Sequence, residues 1–101
     1  MSLIKIDPAK AAKLTIADFE QRIQARLDEF ARTKTYDGIL SACTYATSPT
    51  ERLATEGQRA VDLRDATWQT AYQILADYQN GVIPQPTWAE LEAQLPELSW
   101  E

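Results

Sequence analysis

The chemistry open to this sequence is bounded by which side chains could serve as nucleophile, base or metal ligand. There is no histidine, and Cys43 is the only cysteine. Ser-His-Asp and Cys-His arrangements are therefore ruled out, as are His-containing zinc sites, multi-cysteine metal sites and an internal disulfide. Cys43 lies in the small-residue run Ser41-Ala42-Cys43, where a buried, inert thiol is expected over a reactive one, because free cysteine is among the most buried residue types. Asp62 and Asp65, spaced i, i+3, share a helix face. A catalytic carboxylate pair would also need flanking polar groups and a cleft, so a solvated acidic face is the expectation here. Three glycines are too few and too scattered for a phosphate-cradling loop. No enzymatic activity, cofactor or metal is expected.

Other residues could act by binding. Arg64 falls within an apolar seam, with Asp65, Asp62 and Asp37 as candidate counter-charges, and a structural ion pair of Arg64 with Asp37 is expected. Its aliphatic stem would pack on Trp68. Glu56 is expected to cap or pair locally. Trp88 and Trp100 belong to a short C-terminal segment with little chain left to cover them. They either dock onto the long helix or, with Leu91 and Leu95, form a partner-binding surface, where tryptophan is over-represented.

The elements that position these residues are helical. Ile16, Phe19, Ile23, Leu27 and Phe30 recur at intervals of three and four, which predicts a helix over about 15–33 opened by a Thr15/Asp18 capping box. Asp7-Pro8 reads as an earlier N-cap, with residues 8–13 as a short helix or a forward extension. After the turn Thr35-Tyr36-Asp37-Gly38, Asp37 caps a short helix at about 38–46. Ser48 and Glu51 form a second capping box around Pro49, predicting a long helix over about 49–80 that stops at Asn80-Gly81. Its 32 residues would extend about 48 Å, against a radius of gyration of about 13 Å for a compact 100-residue domain. It must therefore protrude or bend, with Gly57 the weakest point. Beyond Gly57 the seam Val61, Arg64, Trp68, Ala71, Leu75, Tyr78 has coiled-coil-like spacing. Two prolines make Val82–Pro86 an extended connector, and a Thr87/Glu90 box opens a helix over 88–94. The expectation is an all-α fold in one domain, residues 1–101, without sheet and with the first helix packed antiparallel to part of the long one. Leu27, Phe30, Ile39, Leu40, Val61, Trp68, Leu75 and Leu91 are the expected core.

Composition narrows the partners. Apolar residues make up 45% and charged residues 25% of 101, which suits one globular core. No apolar run approaches the roughly 18 residues that span a bilayer, and MSLIKIDPAK lacks the features of a signal peptide, so a cytoplasmic protein without membrane contact is expected. Residues 1–34 hold seven Lys/Arg against five Asp/Glu, whereas residues 35–101 hold three against ten. That acidic body is a poor match for a phosphate backbone, so no nucleic-acid binding is expected.

Several blocks point to a family. Leu27-Asp28, the run Tyr36-Asp37-Gly38-Ile39-Leu40-Ser41-Ala42-Cys43-Thr44-Tyr45-Ala46, then Glu56-Gly57-Gln58 and Arg64-Asp65-Ala66-Thr67-Trp68, resemble the C-terminal module of small tail-fibre assembly proteins of tailed phages and prophages. The stretch Gly81 to Pro96, with Pro84, Pro86-Thr87 and Leu95-Pro96, fits the same pattern. The resemblance spans about residues 15–100. It implies a non-enzymatic, chaperone-like protein that binds a tail-fibre subunit in the cytoplasm of the bacterial host cell. Several such proteins carry a variable portion ahead of this module. A client grip would need exposed apolar surface, which could also support a weak homo-oligomer. Two other classes stay open: a structural phage tail component, and a small acidic regulatory or inhibitor protein.

Overall fold

The computed structural model describes residues 14–101, and the expected start at Asp7-Pro8 with a helix over 8–13 lies outside them. Among the described residues the architecture is all-α with no strand: α1 (Ile16–Arg32), α2 (Ile39–Cys43) running into a 3-10 turn (Thr44–Thr47), α3 (Glu51–Gln79) and α4 (Trp88–Gln94).

Local chemistry sets most of the boundaries. Thr15 Oγ1 accepts from Asp18 N at 3.1 Å while Asp18 Oδ2 accepts from Thr15 N at 2.9 Å, so α1 opens on a reciprocal box. Thr87 and Glu90 repeat it at α4. Each such cap stabilises a helix by about 1 kcal/mol. The Ser48 box does not form. Ser48 Oγ accepts from Thr50 N two residues on, which closes a turn ahead of the helix, and α3 begins at Glu51 behind Thr50 without a side-chain cap. The short helix α2 is not capped by Asp37, which is exposed. Its cap comes from across the fold, where Asp28 on α1 accepts from Ile39 N at 2.9 Å. A Cβ at Gly38 would stand 2.9 Å from that same Asp28 oxygen, so the glycine keeps the carboxylate's approach open.

Two helix ends use one motif with different residues. At α3, Val82 N donates to Asp77 O and Gly81 N to Tyr78 O, with Gly81 at φ +76°. At α1, Tyr36 N donates to Ala31 O and Thr35 N to Arg32 O, with Thr35 at φ +69°. Both are left-handed C-terminal closures, but Thr35 carries a β-branched side chain where glycine is favoured.

The core forms where α1, α2 and α3 meet. Phe19, Ile23, Leu27 and Ala31 line the inner face of α1 at four-residue steps, fully buried. They meet Ile39 and Ala42 of α2, Ala60, Ala71, Ile74 and Leu75 of α3, and Leu91 and Leu95 from the C-terminal segment. Large apolar side chains buried this way contribute about 1.5–3 kcal/mol each. Helix α3 is continuous across Gly57, and the molecule is elongated, measuring 59 × 34 × 19 Å with a radius of gyration of 16.8 Å. Gly57 is a crossing point: its position is buried, and an added Cβ would lie 2.2 Å from Ala46 N and 2.5 Å from Tyr45 C.

The buried face of α3 shares Ala71 and Leu75 with the expected seam but is rotated from it in the first half of the helix. It runs Gly57, Ala60, Leu63, Thr67, Ala71, Ile74, Leu75, so small residues permit close approach in its first half. Val61 and Trp68 consequently sit half-buried at its edge, Phe30 is partly buried against the core, and Leu40 is 63% exposed on the outer side of α2. Of the expected core, Leu40 is therefore outside it, and Phe30, Val61 and Trp68 are only partly buried.

Candidate protein-binding surface

Residues 84–101 form a strap laid along α1. Gln85 Nε2 donates to Leu14 O at 2.6 Å, Arg26 Nη2 to Pro96 O at 3.0 Å, and Trp100 Nε1 to Thr33 Oγ1 at 2.9 Å. These contacts follow α1 from its start to its end, so the strap runs parallel to it. Arg26 also pairs with Glu92 at 3.5 Å. Arg59 on α3 donates from Nε to Ser99 O at 2.7 Å, and Lys34 just past α1 pairs with Glu56 near the start of α3 at 3.6 Å. The end of α1 thus meets the beginning of α3, while the connector after α3 returns to Leu14, so the two helices are antiparallel.

Where the strap ends it walls a cleft of about 680 Å³ with Lys34, Glu51, Arg52, Thr55, Glu56 and Trp100 on its sides. The Trp100 ring stacks on Phe30 with centroids 4.3 Å apart and planes 15° from parallel. Glu56 anchors the floor, accepting from Tyr36 Oη at 2.7 Å and pairing with Lys34 and with Arg52 at 3.6 Å each. The Tyr36 bond, followed by the nearby Lys34 and Arg52 charges, holds the Glu56 carboxyl below the ordinary glutamate value. Burial, then the same bond, pushes the Tyr36 phenol up to about 12. Near neutral pH the carboxylate is ionised and the phenol protonated, so this pair acts as a fixed donor–acceptor contact and is poorly matched to proton transfer. The cleft offers one aromatic wall, a mixed-charge rim and a polar floor.

The residues expected at a partner surface divide. Trp100 lines the cleft, and Trp88 is half-buried against the core. Leu91 and Leu95, at 0% and 7% exposure, are core residues that plug the strap into the α1–α3 junction and offer no free surface. The expected Arg64–Asp37 pair does not form, because α2 takes its cap from Asp28 and leaves Asp37 exposed. Arg64 makes no ion pair among the described residues, and its Nε is buried without a hydrogen-bond partner. It lines a second, smaller groove of about 390 Å³ with Gln24, Asp65, Trp68, Gln69 and Tyr72. Burial raises the pKa of the nearby Cys43 thiol against the opposing pull of Arg64, which favours the protonated thiol.

Sequence reasoning missed Asp28, Arg26 and Arg59, whose partners lie 11, 70 and 40 positions away. Only Asp28 left a local trace, through Gln24 one turn before it, whose Nε2 donates to the same carboxylate at 3.1 Å. Among the described residues no helix is long and apolar enough to cross a membrane, and no group of three or more His, Cys, Asp or Glu is placed to hold a metal ion. Comparison of the chain with protein-family models, curated proteins and solved structures finds no match.

Proposed function

We propose that this chain is a non-enzymatic protein-binding module that assists phage or prophage tail-fibre assembly by holding a segment of a fibre subunit in the cleft beside Trp100. The cleft carries the reading. It combines the Trp100 face with the charged ends of Lys34 and Arg52, the latter side chain 71% exposed, around a fixed Tyr36–Glu56 floor. The sequence blocks that resemble fibre-assembly proteins supply the nature of the client. Because Leu91 and Leu95 are committed to the core, the grip uses the exposed margin of the strap and the first turns of α3.

The test is co-expression with the C-terminal fragment of a tail-fibre subunit, scored as recovery of soluble assembled fibre. Thr55 is exposed and lines the cleft, so Thr55→Arg fills it without touching the core. Fibre recovery should fall while helicity by circular dichroism is retained. Normal recovery with Thr55→Arg would remove the cleft from the reading, and no gain in recovery from the unmodified chain would remove the client.

A further inference from the structure

We propose that the Arg64–Trp68–Tyr72 ridge of α3 is a self-association face, on which a second copy of this chain docks antiparallel about a two-fold axis passing at Trp68. The three residues are four apart on one helix and line one groove, so they form a ridge with steps of about 6 Å. The Trp68 and Tyr72 rings lie 5.3 Å apart at 30°. Tyr72 is 54% exposed, the most exposed aromatic among the described residues. Arg64 stands at the other end of the ridge with no ion pair among the described residues and with its buried Nε unbonded.

Each end of this ridge lacks what the other end offers. A guanidinium without a counter-charge is stabilised by an aromatic face, and an exposed phenol ring is covered by a flat cation. Run backwards, the ridge reads Tyr72, Trp68, Arg64. Antiparallel pairing about Trp68 therefore sets Arg64 of each copy against Tyr72 of the other and brings the two indoles together, an isologous contact that closes at two chains. Interdigitated four-residue ridges cross at about −50°, which confines contact to the turns nearest the crossing. The ridge from 64 to 72 is about that length. Gln24, Asp65 and Gln69 flank it as a polar rim. The ridge is thus matched to its own reverse, which is why the occupant is a second copy.

Sedimentation equilibrium of the whole chain over a wide concentration range tests this. A reversible monomer–dimer equilibrium is expected. Tyr72→Lys places a cation opposite Arg64 of the other copy and should raise the dimer dissociation constant by about tenfold or more. Val82→Lys, at an apolar position 69% exposed but off the ridge, should leave it unchanged. The double variant R64E/Y72K sets opposite charges in the same register and should restore most of the lost affinity. A chain that stays monomeric throughout overturns the proposal, as does a higher oligomer, or a dimer weakened equally by Tyr72→Lys and Val82→Lys. If circular dichroism shows the double variant unfolded, the comparison of the two single variants decides alone.

Discussion

Gly57→Ala separates two accounts of α3. On an exposed helix the change removes glycine's backbone entropy cost and stabilises by about 0.8–1 kcal/mol. Here the new methyl would meet backbone: 2.2 Å to Ala46 N, 2.5 Å to Tyr45 C and 2.8 Å to Ala46 Cα. Reaching an ordinary contact near 3.4 Å means moving the 3-10 turn by more than about 1 Å. That turn continues α2, whose Ile39 and Ala42 are fully buried, and it holds Tyr45 against Tyr36 at 5.4 Å. Overpacking against backbone at these distances falls in the upper part of the usual range, about 2–3 kcal/mol, so after the propensity gain the net loss should be about 1–2 kcal/mol. For a domain of this size, that lowers the melting temperature by roughly 4–16 °C. Urea denaturation followed by far-ultraviolet circular dichroism measures it, with Thr55→Ala on the exposed side of the same helix as the propensity control. A Gly57→Ala variant stabilised like the control would refute the close crossing and restore the hinge reading.

Two further perturbations follow from strained or shifted groups. Thr35→Gly relieves a β-branched residue at φ +69°; left-handed backbone costs an L-residue about 1–2 kcal/mol and glycine's added chain entropy offsets part of this, so a net gain of about 0.5–1 kcal/mol should appear as a higher melting temperature. An unchanged melting temperature would mean that Thr35 is not strained. The raised Tyr36 pKa makes stability pH-dependent. The unfolded phenol ionises near 10.0 and the folded one near 12, so the Tyr36 contribution is complete below pH 10 and is lost as pH rises from 10 to about 12. Denaturation midpoints across that window should fall more steeply for the wild type than for Tyr36→Phe, and parallel curves would sink the argument.

What was legible in the sequence is what is decided within a few residues. The Thr15 and Thr87 boxes and the Asn80-Gly81 stop involve partners three to five positions apart, and so do the helical periods that give the all-α fold. The misreadings share a different cause. Ser48 had two nearby amides to choose from and took the closer one. The cap on α2 comes from Asp28 on another helix, which no local pattern reveals. On α3 the search for large apolar residues selected Val61 and Trp68. The crossing with α2 and its turn instead required small side chains, and Gly57, Ala60 and Thr67 carry no hydrophobic signal strong enough to mark a face, whereas Ala71 and Leu75, further along, were in the expected seam and are buried. That offset moves Arg64 and Trp68 from the expected seam to the rim, beside Tyr72.

The same rotation decides which surfaces remain for partners. Because the strap spends Leu91 and Leu95 on the core, the proposed client cleft lies beside Trp100 at the first turns of α3, while the ridge at 64–72 faces a separate groove. From Thr55 to Trp68 is thirteen residues, or about 20 Å along the helix axis. Two copies joined at Trp68 would therefore carry their clefts beyond the contact, at opposite ends of the pair, with neither cleft covered. The proposed dimer contact and the proposed client cleft then draw on different residues of one helix, and a defect in one need not produce a defect in the other. The elongated shape gives this arrangement its room. Helix α3 runs unbroken from the cleft past the ridge, with Gly57 at its close crossing with Ala46.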